Sequence, residues 1–162
     1  ATIYKLKRCK PRPLAVLADT LEGVDCLKPK LSKVAHVLAN AFWPGPLTLI
    51  VQTTAQEFPV TGENNSIGLR IPNSDLLRDF IGRYGKPLAA TSANLTSQPA
   101  PRRIEEIAAE IKTGVSHIAD LEIVPSGKSS TVVDCTAEQI KLIREGKISF
   151  EVIRNHLRNH ER

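Results

Sequence analysis

Cations and compact hydroxyl or amide side chains are the residues of this chain best suited to chemistry. The set comprises Lys7, Arg8, Arg70, Ser92, Asn94, Ser130 and Arg144. Such groups suit the binding of a phosphorylated ligand, because phosphoryl or nucleotidyl transfer needs positioning and charge neutralisation more than a covalent protein group. Arginine fits this task because its planar fork meets two phosphate oxygens at once. For any single arginine the competing interpretation is a surface ion pair.

Other catalytic arrangements are not supported by the sequence. Ser92 lacks the glycine-flanked turn of a nucleophilic serine, and none of the histidines is placed as its base. Paired carboxylates with a common site are also missing, which disfavours glycosidase chemistry. The Gly127-Lys128-Ser129 run lacks the upstream glycine of a phosphate loop and precedes a predicted strand rather than a helix. The catalytic residues therefore stay unknown at this level.

Composition and charge point to a globular protein with an anionic partner. The chain has 162 residues, of which 41% are hydrophobic and 24% charged. This length and composition fit one globular domain with a hydrophobic core. A formal net charge of +5 favours nucleotides or RNA, and an aromatic content of 4% argues for phosphate contact rather than base stacking. The longest apolar runs are too short to cross a bilayer, so we expect a cytoplasmic protein without a membrane partner.

The three cysteines do not form a recognisable site. Cys9, Cys26 and Cys135 are far apart and lack the paired spacing of zinc ligands. We therefore predict no disulfide and no protein metal site. Cys135 follows an apolar run and is expected to be a small core residue.

Alternating patterns predict an α/β fold with a mixed sheet, since several connections are too short for crossover helices. Predicted strands cover residues 13–18, 47–52, 66–71, 87–90, 118–124, 131–133 and 139–143. Predicted helices cover residues 3–8, 29–42, 73–85, 104–114 and 149–160. In the strand 66–71, Arg70 lies opposite the apolar side, so it faces water or a ligand. The strand 87–90 is expected to be buried, with Ser92 and Asn94 at its end as a site or as a simple turn.

Five sequence blocks occur in an order that resembles one family. They are Phe42-Trp43-Pro44-Gly45-Pro46-Leu47-Thr48-Leu49, Ser66-Ile67-Gly68-Leu69-Arg70-Ile71-Pro72, Ala90-Thr91-Ser92-Ala93-Asn94, Ser130-Thr131-Val132-Val133-Asp134 and Ile143-Arg144-Glu145-Gly146. Together they resemble the YrdC/YciO family, the threonylcarbamoyl-AMP synthases, from about Ile3 to Gly146. The resemblance implies a single domain with a twisted mixed sheet and flanking helices. It would span residues 1–147, followed by a basic helix at 148–162.

The resemblance also implies an activity and its residues. Members of the family condense L-threonine, bicarbonate and ATP into threonylcarbamoyl-AMP with release of pyrophosphate, on the way to the modified adenosine t6A of tRNA. By motif, Lys7, Arg8, Ser92, Asn94 and Arg144 would contact the nucleotide. Ser66, Arg70 and Ser130 would line the threonine site, with Arg70 paired to the amino acid carboxylate. Whether Mg²⁺ accompanies ATP, and whether tRNA or tRNA-modification proteins bind, stays open.

Two departures from the family pattern leave alternatives open. Cys9 stands where the second basic residue of the family's Lys-x-Arg motif is expected, with Arg8 or Lys10 as candidate replacements. A Pro-Thr-Asp-Thr-type segment, which closes part of the threonine site in the family, is not found before Ile3. We therefore expect this chain as given to make little product. The alternatives are a non-catalytic nucleotide- or RNA-binding relative and, ranked last, the carbamoyl-transferring module of hydrogenase maturation proteins.

Overall fold

The structure is a computed structural model that describes residues 2–55, 61–119 and 127–160. The chain divides into two compact units, each built from two segments. The smaller unit combines Ala1–Arg12 with Thr91–Lys128, and the larger unit combines Pro13–Ala90 with Ser129–Arg162. All strands of the sheet described below belong to the larger unit.

A seven-stranded mixed sheet forms the centre of the larger unit. Its strands are β1 (Ala15–Leu17), β2 (Pro29–Lys30), β3 (Leu47–Thr53), β4 (Ser66–Arg70), β5 (Leu88–Ala90), β6 (Thr131–Asp134) and β7 (Lys141–Arg144). The strand order is β5-β1-β4-β3-β6-β7, and β2 pairs with β3. The pairs β1–β4 and β3–β6 are parallel and the others are antiparallel. The predicted α/β fold with a mixed sheet is confirmed.

Helices flank the sheet and also build much of the smaller unit. They are α1 (Thr2–Leu6), α2 (Lys33–Phe42), α3 (Asp75–Tyr84), α4 (Ala109–Gly114) and α5 (Phe150–His160). Short 3₁₀ turns cover Glu22–Leu27, Glu63–Asn65 and Ile104–Glu106. Among the residues that the structure describes, no helix is both long enough and apolar enough to span a membrane.

One face of the sheet forms the core of the larger unit. Side chains alternate along a strand, so Leu47, Leu49 and Val51 of β3 point to the same side and are fully buried. The other buried members of this cluster include Val16, Ile67, Leu69 and Val133 from the sheet with Ala35, Leu38 and Ile153 from α2 and α5. Each fully buried aliphatic side chain contributes about 2 kcal/mol. The intervening residues of the strands therefore face the opposite side.

Helix starts differ from the predicted ones because of capping hydroxyls. Helix α2 begins at Lys33 rather than at residue 29, since the Ser32 hydroxyl accepts from the Ala35 amide at 3.2 Å. The preceding Pro29–Lys30 pairs with β3 as a strand. Helix α3 is capped by Ser74 rather than Asn73.

Other predicted elements are confirmed in part. The predicted helix 104–114 is split, because Ala108 has an extended ψ of 137° between the 3₁₀ turn and α4. The strand expected to be buried, β5, is an edge strand in which Ala89 is exposed. The end helices are found as α1 and α5, while residues 120–124 of the predicted strand 118–124 lie outside the described residues.

In the smaller unit, α1 packs closely against the end of α4. A Cβ atom added to Gly114 would overlap the Leu6 side chain, so a larger residue here would require Leu6 to move. In the larger unit, Cys135 is 1% exposed, which confirms the predicted core position. Burial, and secondarily the charge of Asp134, raises the pKa of Cys135 to about 12. This thiol therefore stays protonated and unreactive at neutral pH.

Candidate functional site

Polar side chains gather on the face of the sheet opposite the α2–α5 core. Strand β4 places Ser66, Gly68 and Arg70 on this face, because Ile67 and Leu69 between them are buried in the core. Thr48 of β3 lies on the same face, next to the buried Leu49. These four positions therefore carry small or polar residues, in contrast to the apolar residues of the core face.

Arg70 is held at the end of β4 by the backbone of the Trp43-Pro44-Gly45-Pro46 turn. Its Nε donates to the Gly45 carbonyl at 2.9 Å, and the Gly45 amide donates to the Ile71 carbonyl at 2.8 Å. The Trp43 indole donates to the Leu47 carbonyl at 2.7 Å, which fixes the far side of the turn. Within the described part of the chain, no carboxylate forms an ion pair with Arg70. Within that part, the Gly45 carbonyl rather than a carboxylate holds the Arg70 guanidinium.

Arg144 reaches this face because of an irregularity in β7. The register pairs Val133 with Leu142 but Val132 with Arg144, so one residue, Ile143, is bulged out of the ladder. A regular strand would have turned Arg144 to the side of Leu142. The guanidinium then donates to the Ser130 carbonyl at 3.0 and 3.2 Å and to the Ser130 hydroxyl at 3.2 Å. Arg144 and Ser130 are thus joined by three hydrogen bonds.

The Arg144-Glu145-Gly146 segment is fastened to the start of β6 and to α5. The Thr131 hydroxyl, fully buried, accepts from the amides of Gly146 at 3.0 Å and Ile148 at 3.1 Å. The Glu145 carboxylate accepts from the Phe150 amide at 2.9 Å, at the first turn of α5. The backbone of Gly146 lies so close to Ser130 that an added Cβ would sit 2.6 Å from its carbonyl oxygen. Together these contacts fix the orientation of Arg144.

The two arginines lie close enough to repel each other. Burial, and next to it the positive charge of Arg144, lowers the pKa of Arg70 from its ordinary value. Two like charges that lie together without a carboxylate on Arg70 cost free energy in the unliganded protein. A bound anion would remove that cost, so the arrangement is typical of a site for carboxylate or phosphate.

Four side chains of this face meet at one end of the sheet, and we call them the arginine cluster: Thr48, Arg70, Ser130 and Arg144. Arg70 ends β4 and Arg144 ends β7, whereas Thr48 and Ser130 lie where β3 and β6 begin. The antiparallel pairing of β3 with β4 and of β6 with β7 brings these ends together. Arg70 and Ser130 therefore lie at the same end of the sheet, and their contact with threonine stays a prediction.

Ser66 does not join the arginine cluster. It lies at the other end of β4, four residues from Arg70, or about 13 Å along an extended strand. Thr48, in contrast, was missed as a site residue. Its signal was present in the Pro-Gly-Pro-Leu-Thr block, but a threonine inside a strand pattern is most often a packing residue.

The second group of predicted site residues lies in the smaller unit, around the buried Lys7. The Lys7 ammonium group donates to the carbonyls of Ser92 and Asn94, each at 2.6 Å, and to the Asn94 side-chain oxygen at 3.2 Å. The Lys7 carbonyl accepts from the amide and the hydroxyl of Thr96 at 3.2 and 2.8 Å. Burial, with a smaller effect of the Arg12 charge, lowers the pKa of Lys7. Lys7 thus holds the 92–98 loop in place.

The 92–98 loop has its own internal hydrogen bonds. The Ser92 hydroxyl donates to the Asn94 side-chain oxygen at 2.5 Å, and the Asn94 amide nitrogen donates to the Gln98 carbonyl at 2.5 Å. The Asn94 side chain is therefore locked at both ends, while Ser92 is exposed. The structure brings Lys7, Ser92 and Asn94 together. Their contact with a nucleotide stays a prediction.

Arg8 lies in a surface ion pair, which was the competing interpretation for each arginine. Its guanidinium forms an ion pair with Glu110 at 2.6 Å, and the two side chains are 67% and 54% exposed. Such an exposed pair contributes less than about 1 kcal/mol. A phosphate could displace Glu110 at little cost, so the predicted nucleotide contact of Arg8 stays a prediction.

Replacing Lys7 with methionine should release the 92–98 loop. The three hydrogen bonds that Lys7 donates would be lost, which should destabilise this partly exposed loop by about 2 kcal/mol in total. Hydrogen exchange of the Thr96 amide should therefore become roughly 30-fold faster. Hydrogen exchange followed by mass spectrometry measures this. Lys5→Met is the matched control, because Lys5 lies two residues before Lys7, in the last turn of α1, and is exposed. Equal exchange in both variants would show that Lys7 does not hold the loop.

Comparison with known proteins gives a family match over nearly the whole chain. The family model Sua5_yciO_yrdC, described as "Telomere recombination", matches residues 1–146. The threonylcarbamoyl-AMP synthase of Bacillus subtilis is 35% identical over 155 residues, which cover 93% of this chain and 44% of the relative. The enzyme of the same name from Pyrococcus abyssi is 30% identical over 153 residues, which cover 93% of this chain and 45% of the relative.

A solved structure gives the same result. The crystal structure of P. abyssi Sua5 complexed with L-threonine matches with a TM-score of 0.86 at 28% identity, covering 96% of this chain and 46% of that chain. The chain thus spans slightly less than half the length of these relatives. Because the family model matches nearly all of the sequence and the fold agrees, this chain belongs to the Sua5/YciO/YrdC family.

Proposed function

We propose that this chain forms threonylcarbamoyl-AMP from L-threonine, bicarbonate and ATP, with release of pyrophosphate. The observation that supports this most directly is the arginine cluster, in which two close guanidinium groups are positioned by backbone contacts without a carboxylate on Arg70. Relatives named threonylcarbamoyl-AMP synthase match over 93% of this chain. Both substrates that would join, the amino acid and the carbonate, are carboxylate-type anions.

The product defines the chemistry that the residues must assist. The threonine amine forms a bond to the carbon of bicarbonate while a carbon–oxygen bond breaks and water leaves, which gives a carbamate. A carbamate oxygen then attacks the α-phosphorus of ATP as the bond to pyrophosphate breaks. Negative charge accumulates on the phosphoryl oxygens, so fixed cations lower the barrier. Arg70 would hold the threonine carboxylate through its fork, and Ser130 would assist it. Ser66, which lies farther along β4, is proposed to contact a more distant part of the ligand.

For the nucleotide, we propose that Ser92 and Asn94 contact ATP from the ordered 92–98 loop and that Arg144 neutralises phosphate charge. Lys7 would act through the loop, since its three hydrogens are already donated to Ser92 and Asn94. Arg8 would reach a phosphate by exchanging its exposed partner Glu110. Mg²⁺ would enter with ATP on the phosphate oxygens, because the paired guanidinium groups of the arginine cluster do not suit a cation.

The product would serve t6A formation in tRNA, which would place the protein in the cytoplasm and make tRNA or tRNA-modification proteins its partners. The second candidate is a relative that binds nucleotide or RNA without catalysis. The observation that favours it is the exposed basic side of α5, with Arg154 and Arg158 one turn apart. Turnover distinguishes the two candidates.

Pyrophosphate release from ATP tests the proposed function. The assay contains ATP, L-threonine and bicarbonate, and each substrate is omitted in turn. It is run on this chain and on a version extended upstream of Ala1 in its gene. We expect the extended version to release pyrophosphate in a reaction that depends on both threonine and bicarbonate, with threonylcarbamoyl-AMP identified by mass spectrometry, and this chain as given to release little. ATP binding without threonine-dependent release in either version would overturn the synthase and favour the binding relative.

A further inference from the structure

The buried hydroxyl groups of Thr48 and Ser130 share one hydrogen bond and leave one hydrogen over. Their oxygens are 3.0 Å apart, and the two residues are 3% and 9% exposed. Two hydroxyls carry two hydrogens, and only one lies between the two oxygens. Within the described residues neither hydroxyl has another acceptor, since the remaining contact of the Ser130 hydroxyl is accepted from Arg144. Whichever hydroxyl donates to the other, one hydrogen has no acceptor in the described part of the protein.

The Thr48–Ser130 hydroxyl pair lies beside the two arginines of the arginine cluster. Thr48 precedes Leu49 and Arg70 follows Leu69, and these two leucines are paired in the register of β3 and β4. Thr48 and Arg70 therefore lie on the same face at the same end of the sheet. The Arg144 guanidinium, 3.2 Å from the Ser130 hydroxyl, draws electron density from that oxygen and makes the pair a better donor.

The neighbouring β4 residue leaves space beside the pair. Gly68 lies in the middle of a strand, where glycine weakens the sheet and often marks the close approach of a ligand or of another backbone. A Cβ at Gly68 would lie 3.4 Å from the Thr48 methyl and 3.8 Å from the Ala15 backbone. Any larger residue at position 68 would add atoms over Thr48 and crowd this part of the face.

We propose that Thr48 is a substrate-binding residue, which together with Ser130 donates its spare hydroxyl hydrogen to a carboxylate-type oxygen held between Arg70 and Arg144. The occupant belongs to one chemical class, a carboxylate or a carbonate, and either L-threonine or bicarbonate supplies it. This inference rests on the proposed function for its ligand. It adds a residue that the family resemblance did not assign, and it predicts which chemical group of the substrate that residue recognises.

The test replaces Thr48 with valine, which keeps the shape and removes the hydroxyl. We expect roughly 20-fold weaker binding of L-threonine by titration calorimetry, or a bicarbonate KM raised by the same factor, while ATP affinity stays the same. Whichever of the two changes, the L-threonine affinity or the bicarbonate KM, identifies the substrate that supplies the carboxylate-type oxygen. Thr48→Ser retains a hydroxyl and should restore binding to within about threefold of the wild type.

Thr53→Val is the matched control on the same strand. Thr53 is equally buried at 3% exposure, and its hydroxyl contacts the Leu27 carbonyl and the Ala55 amide on the opposite face. This variant should lose thermal stability and keep its threonine and bicarbonate affinities. If Thr48→Val changed only the stability in the same way, Thr48 would be structural and the inference would be wrong.

A double variant tests the shared hydrogen bond. Because the two hydroxyls act as one donor, Thr48→Val with Ser130→Ala should weaken binding no more than either change alone. If the affinity losses of the two single variants multiplied fully in the double variant, the proposed pair would be wrong. If wild-type protein bound neither L-threonine nor bicarbonate, the inference would fail; Thr48-dependent binding without pyrophosphate release would overturn only the proposed synthase.

Discussion

Replacing Arg70 with glutamine should lower kcat/KM for L-threonine roughly 150-fold, or by about 3 kcal/mol. This is the usual cost of removing one partner from a buried, hydrogen-bonded charge pair. The protein itself should stay about as stable as the wild type. The lost hydrogen bond to the Gly45 carbonyl is offset because the variant no longer carries a charge that burial, and next to it repulsion from Arg144, disfavours, as the lowered pKa of Arg70 indicates. Pyrophosphate release at varied threonine and thermal unfolding measure the two effects.

Arg83→Gln is the control for the loss of charge alone. Arg83 lies on α3, is 81% exposed and pairs with Asp79 at 3.0 Å. Its removal should leave both kcat/KM and stability within experimental error, as is usual for exposed pairs. A large loss of stability in Arg70→Gln with unchanged kcat/KM would mean that Arg70 only supports the turn at Gly45.

Replacing Gly146 with alanine should destabilise the protein by about 2–3 kcal/mol and weaken ATP binding. The new Cβ would lie 2.3 Å from the Ser129 carbonyl oxygen and 2.5 Å from the Ser130 carbonyl carbon, so the backbone must move. That movement separates Arg144 from Ser130. Chemical denaturation and ATP titration measure the two losses.

A second glycine separates steric effects from conformational ones. Gly85 ends α3 with a positive φ of 72°, and a Cβ added there would meet no other atom within 4 Å. Gly85→Ala should cost about 1 kcal/mol from left-handed backbone strain and leave ATP binding unchanged. If Gly146→Ala behaved like Gly85→Ala, the close approach of Gly146 to β6 would have no role in placing Arg144.

Much of the candidate site could be predicted from local patterns. The alternation in 66–70 predicted that Arg70 would leave the core side, and β4 confirms it, because burial of Ile67 and Leu69 determines where the residues between them point. The ordered sequence blocks indicated the family, and the family model confirms it. These features depend on short-range spacing or on residue identity alone.

The contacts of Lys7, Thr48 and Arg144 could not be predicted from the sequence, because they join segments that are distant in the chain. The Lys7 charge suggested a phosphate contact, but its contacts with the 92–98 loop depend on a partner 85 residues away. The bulge that turns Arg144 toward Ser130 depends on the pairing of β6 with β7, and the residue pattern of 139–143 does not predict it. The hydroxyl pair of Thr48 and Ser130 joins residues 82 positions apart.

The amino-acid sequence by itself determined the α/β class, the mixed sheet, the core side of β4 and the chemical nature of the candidate residues. The tertiary structure decided which of those residues meet. It placed Thr48, Arg70, Ser130 and Arg144 at one end of the sheet and left Ser66 at the other. The reason is physical: hydrophobic alternation is set by neighbours two residues apart, whereas strand order, strand direction and bulges depend on contacts between segments that are distant in the chain.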